Sequence, residues 1–437
     1  EIAQCLVGSE MCIRDRLKIL PLKRIHVIIV LPLIFACACT SQSDVIDDEI
    51  DPNERGWIEL EQDTRAVAEN LQDFYLNYTL DAIKYVDSNN EILSKNTVVS
   101  PLSASMVLAM LANGVDDEAK SEILEYLGVN DLNDLNGLSE ILLSKLPTAD
   151  NRTEMKIANA IWVNEGYKLN QDFSSLINLT YQGEINYADF NEGKKTANAI
   201  NKWCSAKTNG LIPEMFDEID PLSMAILLNA VFFKGKWHNE IFLKENTKKE
   251  MFHGIKGSKE VDMMHASSKS RLYNADDSFE IFYLHFGNCA FSFIGIVPRE
   301  GISPNEAIRL LTPEKIRDLQ ENMVECDLAV DMPRFKIENK LRLDDIFKAG
   351  GLEGIFRGLD VTMFEKETSG GIRFNQAANL EIDEIGAKLA AVTSGELNES
   401  APVLGSKQHV RLDRPFFFFI RENGSRACLL SGRIADL

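Results

Sequence analysis

The 437-residue sequence predicts an α+β fold, with helices mainly in the first half and sheets dominating the second. Three observations carry that reading. Apolar residues recur at helical spacing between residues 64 and 146. Continuous or alternating apolar runs follow from residue 157. Two turn signals, Gly287-Asn288 and Glu422-Asn423-Gly424-Ser425, separate pairs of such runs as a β-hairpin does.

Taken in order, residues 64–86 place Val67, Leu71, Phe74, Tyr75, Tyr78 and Ile83 on one helical face. Asp63 or Thr64 is the expected cap. Residues 103–114 are apolar nearly all round, which predicts a deeply buried helix with Pro101 in its first turn. Residues 117–127 and 135–146 read as helices ended by Gly128 and Pro147. Residues 157–163 read as a strand, 173–180 and 194–207 as helices. Residues 225–233 form an unbroken apolar run, expected of a strand covered on both faces. Residues 281–286 with 291–297, and 416–420 with 427–431, are the hairpins, and 378–383 alternates as a strand.

The composition is that of a soluble globular chain, 45% hydrophobic and 26% charged, long enough for a large core. A net charge of −21 argues against nucleic acid or an anionic membrane surface as partner. The N-terminus is read apart from the fold. Residues 1–16 look like an extension outside the native protein. Residues 17–39 join a basic stretch to a short apolar run and end Ala36-Cys37-Ala38-Cys39, a lipoprotein-type export signal with lipidation expected at Cys37 or Cys39. A plain signal peptide or an uncleaved anchor is the alternative. Residues 40–62 are acidic and polar, a tether, and 63–437 are expected to form one domain, a monomer. The expected place is the bacterial outer envelope, anchored or extracellular.

Enzyme chemistry finds no support. There is no H-E-x-x-H, G-x-S-x-G, P-loop or G-x-G-x-x-G pattern, no carboxylate pair stands out, and no cofactor or metal is expected. Of the six histidines, His26 lies in the leader, and His238, His253, His265, His285 and His409 are scattered, as surface or strand residues are. Cys204, Cys289, Cys326 and Cys428 have no metal or redox spacing and read as buried free thiols.

The informative stretch is 384–409. Every second residue from Ala387 (Ala387, Leu389, Ala391, Thr393, Gly395, Leu397) is small or apolar, while the alternate set carries Lys388 and Glu396. That is the pattern of a half-buried strand. Gly395, Asn398-Glu399-Ser400 and Pro402 nevertheless interrupt it as a loop tip does. A loop with a strand's pattern is a conformational switch.

Glu384 to Thr393 (EIGAKLAAVT) resembles the hinge and reactive-centre loop of the serpins. Six further segments resemble serpin motifs in the family's order: 96–105 (NTVVSPLSAS), 156–163 (KIANAIWV), 200–213 (INKW with KTNGLIP), 228–237 (LNAVFFKGKW), 331–338 (DMPRFKIE) and 414–420 (RPFFFFI). The resemblance implies three sheets with a large central sheet A, and an exposed loop at about 386–409. It implies a suicide inhibitor, not an enzyme. The protease cuts the loop, which inserts into sheet A and traps the acyl-enzyme. Counting from Gly386 puts the scissile bond between Ser400 and Ala401, with Leu397, Glu399 and Leu404 as other candidates. The small Ser400-Ala401 pair favours an elastase-like or subtilisin-like serine protease over a papain-like cysteine protease. The implied hinge is Glu384, Gly386, Ala387, Lys388, Leu389, Ala390, Ala391, Val392 and Thr393. Ala387 must be small, since it enters first; Leu389 is larger than the family's usual alanine. The implied shutter and breach residues are Ser100, Ser103, Asn229, Gln376 and Trp237, with Gln376 where the family usually has histidine. The alternative is a non-inhibitory serpin-fold binding protein whose loop is only a substrate.

Overall fold

The computed structural model describes residues 57–89, 95–356, 360–366, 368–369, 371–387 and 407–437. The leader, the lipidation candidates Cys37 and Cys39, the tether up to residue 56, and loop residues 388–406 lie outside the described residues.

The first half is helical. Helix α1 is Gln62–Ser88, strand β1 is Thr97–Val99, and α2, α3 and α4 are Pro101–Ala112, Asp117–Leu127 and Leu132–Lys145. Then come β2 (Thr153–Asn164), α5 (Gln171–Thr180), β3 (Glu184–Ala188), α6 (Gly193–Lys207) and β4 (Ser223–Lys236). Strands β5 to β8 are Lys248–Gly254, Gly257–Ala275, Phe279–Phe286 and Phe291–Pro298. Helices α7 (Pro304–Leu310) and α8 (Pro313–Glu321) precede β9 (Val324–Pro333), β10 (Phe335–Arg342) and α9 (Leu343–Ala349). The chain ends with β11 (Asp360–Val361), β12 (Thr368–Ser369), β13 (Gly371–Ile382), β14 (Gly386–Ala387), β15 (Gln408–Arg411), β16 (Phe416–Glu422) and β17 (Cys428–Ile434).

Among the described residues these strands make three sheets. A nine-stranded one runs β1-β17-β16-β8-β7-β6-β9-β15, with β5 also on β6. A six-stranded one runs β10-β13-β14-β4-β2-β3, and β11 pairs with β12. Helix α2 lies against the six-stranded sheet with all twelve residues buried. Its Ser100 cap accepts from the Ser103 N–H at 3.3 Å. Helix α6 covers the opposite face through Ala197, Ile200 and Cys204, which pack on Trp162, Ile226 and Leu228. Strand β4 is therefore covered twice, as its unbroken apolar run predicts. On β10 the burial alternates strictly, so it has one wet face.

Several local expectations are corrected. Helix α1 starts at Gln62 with Glu61 at the N-cap, and no side chain caps it. Asp63 sits instead in the first turn, where its charge suits the helix dipole. The turn between β7 and β8 spans four residues rather than Gly287-Asn288. Buried Asp150 holds it, accepting from the Asn288 N–H at 2.7 Å and the Ala290 N–H at 3.4 Å. This leaves Cys289 at φ 73°, half-buried in a turn and not in a strand core. Cys204, Cys326 and Cys428 are free and buried.

Candidate functional site

The site is the seam between β4 and β13. At one end the two strands pair directly and in parallel: Ile372, Arg373 and Phe374 lie opposite Ala225, Ile226 and Leu227. At the other end β14 stands between them. Ala387 pairs antiparallel with Gly235 on one side and Ile382 on the other, and Gly386 pairs with Lys236. Both ends share one frame, since residue 374 faces 227 and residue 382 is level with 235, a constant offset of 147. Between them lies a cavity of about 200 Å³ lined by Phe232, Phe233, Asn379, Leu380, Ala387 and the connection that follows α6. The Asn379 side-chain oxygen there is buried and has no hydrogen-bond partner among the described residues. An orphaned buried acceptor is unusual and costs free energy, so the seam is left incomplete.

The residues before β14 hold a tight turn. The Asp383 carboxylate accepts from the Ile385 and Gly386 N–H groups at 2.8 and 3.1 Å. Trp237 donates its indole N–H to the Asp383 carbonyl and its backbone N–H to Ile385, both at 2.9 Å. Its ring stacks on Phe286 at 4.5 Å. Gly386 has φ 145°, and a Cβ there would sit 2.0 Å from the Gly235 carbonyl oxygen. Only glycine fits.

Glu384 is buried and accepts from the Thr247 hydroxyl at 2.6 Å and from Arg334 at 2.5 Å. Burial pushes its carboxyl up. The Arg334 guanidinium, the Thr247 hydroxyl and a backbone N–H outweigh burial and hold it below the usual range. Arg334 is raised, mainly by its bond to Glu384. A depressed carboxyl stabilises the fold above its unfolded value, and this is lost as the pH falls through the folded value. Wild type is therefore expected to lose about 1–2 kcal/mol of stability between pH 6 and pH 3 that a Glu384→Gln variant does not lose. Parallel thermal-unfolding curves for the two proteins across that range would refute the assignment.

Beneath the seam, two polar groups converge on the start of α2. From β13, the Gln376 amide accepts from the Tyr78 hydroxyl at 3.1 Å and the Ser100 N–H at 2.9 Å, and donates to the Ser100 carbonyl at 2.8 Å. From β4, Asn229 accepts from the Ser103 hydroxyl at 2.5 Å and donates to Asn159 on β2 at 2.7 Å. Asn159 in turn donates to the Tyr181 carbonyl at 2.7 Å. No hydrogen bond joins Gln376 to Asn229. Each side chain is tied to α2 separately, so at this level β4 and β13 can part without breaking a side-chain bond between them, although their direct ladder at residues 371–374 would have to open. Burial raises the Tyr78 phenol well above its ordinary value, and the phenol stays neutral as the donor this arrangement requires.

The structure thus brings together Ser100, Ser103, Asn229, Gln376, Trp237, Glu384, Gly386 and Ala387. Lys388, Leu389, Ala390, Ala391, Val392, Thr393, Ser400 and Ala401 lie outside the described residues. Tyr78, Asn159 and Arg334 belong to the same assembly and were not singled out from the sequence. Tyr78 was legible only as an apolar-face residue, and its hydroxyl carries no periodic signal. Among the described residues no group of histidines, cysteines and carboxylates could hold a metal ion, and no helix is long and apolar enough to cross a membrane.

This geometry has relatives. Residues 76–437 match the family model of the serpins, serine protease inhibitors. A serine protease inhibitor of Cyanea capillata is 30% identical over 359 residues, covering 78% of this chain and 92% of its own. An uncharacterized serpin-like protein of Thermococcus kodakarensis is 27% identical over 365 residues, covering 82% of this chain and 84% of its own. The crystal structure of native tengpin, a thermophilic serpin, superposes with a TM-score of 0.76 at 28% identity, covering 87% of this chain and 96% of that one. The chain belongs to the serpin family.

Proposed function

We propose that this serpin is a suicide inhibitor of extracellular proteases, with residues 386–409 as its bait loop. The carrying observation is β14: Ala387 already occupies the first step between β4 and β13, and a cavity lies beneath it. Protease cleavage releases the loop's proximal arm, which continues in the register that Ala387 sets. In that register Leu389 falls level with Phe233 and Leu380, two residues that line the cavity, so the large side chain has somewhere to go. Thr393 falls between Asn229 and Gln376. On the other face Lys388 comes between Glu381 and Lys234, and Glu396 beside Arg373, which now reaches Asp344 and Asp220 at 3.4 and 3.5 Å. Opposite charges at facing positions favour a cross-strand pair, so Glu396 with Arg373 favours the inserted strand, whereas Lys234 offsets the attraction of Glu381 for Lys388. The new strand completes two ladders, and that gain drives the step. About 15 residues at ~3.3 Å each carry the acyl-linked protease some 50 Å along the sheet. The scissile bond is assigned to Ser400-Ala401, the target to an elastase-like or subtilisin-like enzyme, and the lipid anchor to Cys37 or Cys39.

The test incubates the protein with elastase-like, trypsin-like, subtilisin-like and papain-like proteases, followed by denaturing gels and intact mass. The expected result is a covalent adduct at the summed mass and a released peptide beginning at Ala401. Clean loop cleavage with the protease fully active would overturn the proposal in favour of a substrate-only loop.

A further inference from the structure

Strand β15 holds the distal end of the loop, and its backbone attachment is slight. It is four residues long, lies at the edge of the nine-stranded sheet, and among the described residues pairs with β9 alone, in parallel. Side chains supply the rest. Asp331 on β9, its side chain 6% exposed, accepts from three donors on two other strands. These are His265 Nδ1 on β6 at 2.7 Å, and His409 Nε2 and Arg411 Nη1 on β15 at 2.8 and 3.0 Å. Arg411 also bonds Glu250 on β5 at 2.7 Å and Asp413 at 3.3 Å, and Asp413 meets Arg414 at 3.0 Å. His265 is sandwiched: its Nε2 faces Glu250 Oε1 at 3.1 Å, is buried, and makes no well-aligned hydrogen bond. A neutral imidazole carries one N–H, so only the imidazolium donates to both carboxylates. Counting Asp331, Glu250 and Asp413 against Arg411 and Arg414, the cluster has one negative charge more than positive while both histidines are neutral.

We propose that His265 and His409, with Asp331, Glu250 and Arg411, form a proton-sensitive clasp on β15. Protonation of the two imidazoles adds positive charge among carboxylates contributed by β5, β9 and residue 413. The strand is then held more tightly when the two imidazoles are charged than when they are neutral. If residues 386–409 are the bait loop, the clasp governs how firmly its far end is tethered. That consequence rests on the proposed function; the clasp itself does not.

The test is hydrogen exchange of the full-length protein, read at the amides of 407–412 and corrected for intrinsic rates. In wild type, protection there is expected to fall about fivefold between pH 5.5 and pH 8, while β16 and β17 stay unchanged. The His265→Gln, His409→Gln double variant should lose that dependence, and Asp331→Asn should lower protection at both pH values. Equal pH dependence in wild type and double variant, or none in wild type, would overturn the clasp. Because the readout needs no protease, failure to inhibit leaves it standing, and its failure leaves the inhibitory reading standing.

Discussion

An Ala387→Asp variant is expected to fold, to be cut in its loop, and to trap no protease. Ala387 is 3% exposed, with Gly235 on one side and Ile382 on the other. Its neighbours at the mouth of the cavity include Phe233 and Leu380. Among the described residues that line the cavity there is no cation to meet a carboxylate placed there, and burying it unpaired costs several kcal/mol. Leaving the seam costs only the short ladder of β14, so the hinge would stay out in solvent. The rest of the core is untouched. Insertion then fails at its first residue, and each encounter ends in hydrolysis of the acyl-enzyme. The covalent adduct should drop more than tenfold for a penalty above about 1.4 kcal/mol. Ala387→Thr, neutral and suited to a strand, should keep most of the trapping. Wild-type adduct yield from the aspartate variant would show that insertion does not begin at this residue.

Gln376→Ala should be the most destabilising single change at the seam that leaves the loop untouched. One amide satisfies three buried groups: the Tyr78 hydroxyl, the Ser100 N–H and the Ser100 carbonyl. Removing it orphans the Tyr78 hydroxyl and the Ser100 N–H, leaves the Ser100 carbonyl with the Ala104 N–H at 3.1 Å, and opens a gap beside Tyr78, which is fully buried. At about 1 kcal/mol or more for each of the two stranded groups, with the cost of the gap added, the loss comes to about 3 kcal/mol. For a domain of this size that corresponds to a fall of about 4 °C in apparent Tm at a fixed scan rate. Gln376→His keeps one donor and one acceptor and should lose less. A Tm within a degree of wild type for the alanine variant would mean that water or a neighbour already does the work of the amide.

The first six helices and the strands β2, β4, β7, β8, β13, β16 and β17 were readable because the patterns are local. Asp116, Asn170 and Ser100 act as caps within a few residues of where they lie in the chain. Gly128 ends α3 at φ 71°, where a left-handed residue is required. The long β6 and the helices α7, α8 and α9 were not singled out. Helices α7 and α9 have only seven residues each, α8 buries Leu319 alone, and β6 changes its burial pattern along its length as it passes from one neighbour to the next. Periodicity is a property of a uniform environment, and these elements do not have one.

The site divides in the same way. Gly386, Ala387 and the alternation that follows could be found by pattern, as could Ser100 at the start of α2. Asp331 and its histidines could not. His265, Asp331 and His409 are far apart in the chain, and only the pairing of β6, β9 and β15 sets His265 and Arg411 level with Asp331 and brings His409 within reach two residues along. The sequence by itself determined which segments prefer helix or strand, which faces are apolar, and that residues 387–397 carry a strand's alternation. Tertiary structure decided that β4 and β13 pair at one end and part at the other, that Ala387 fills the opening, and that one buried carboxylate gathers donors from two other strands. The reason is physical: propensity and amphipathicity act over a few residues, whereas strand register and buried polar pairing are settled only when distant segments compete for the same partners.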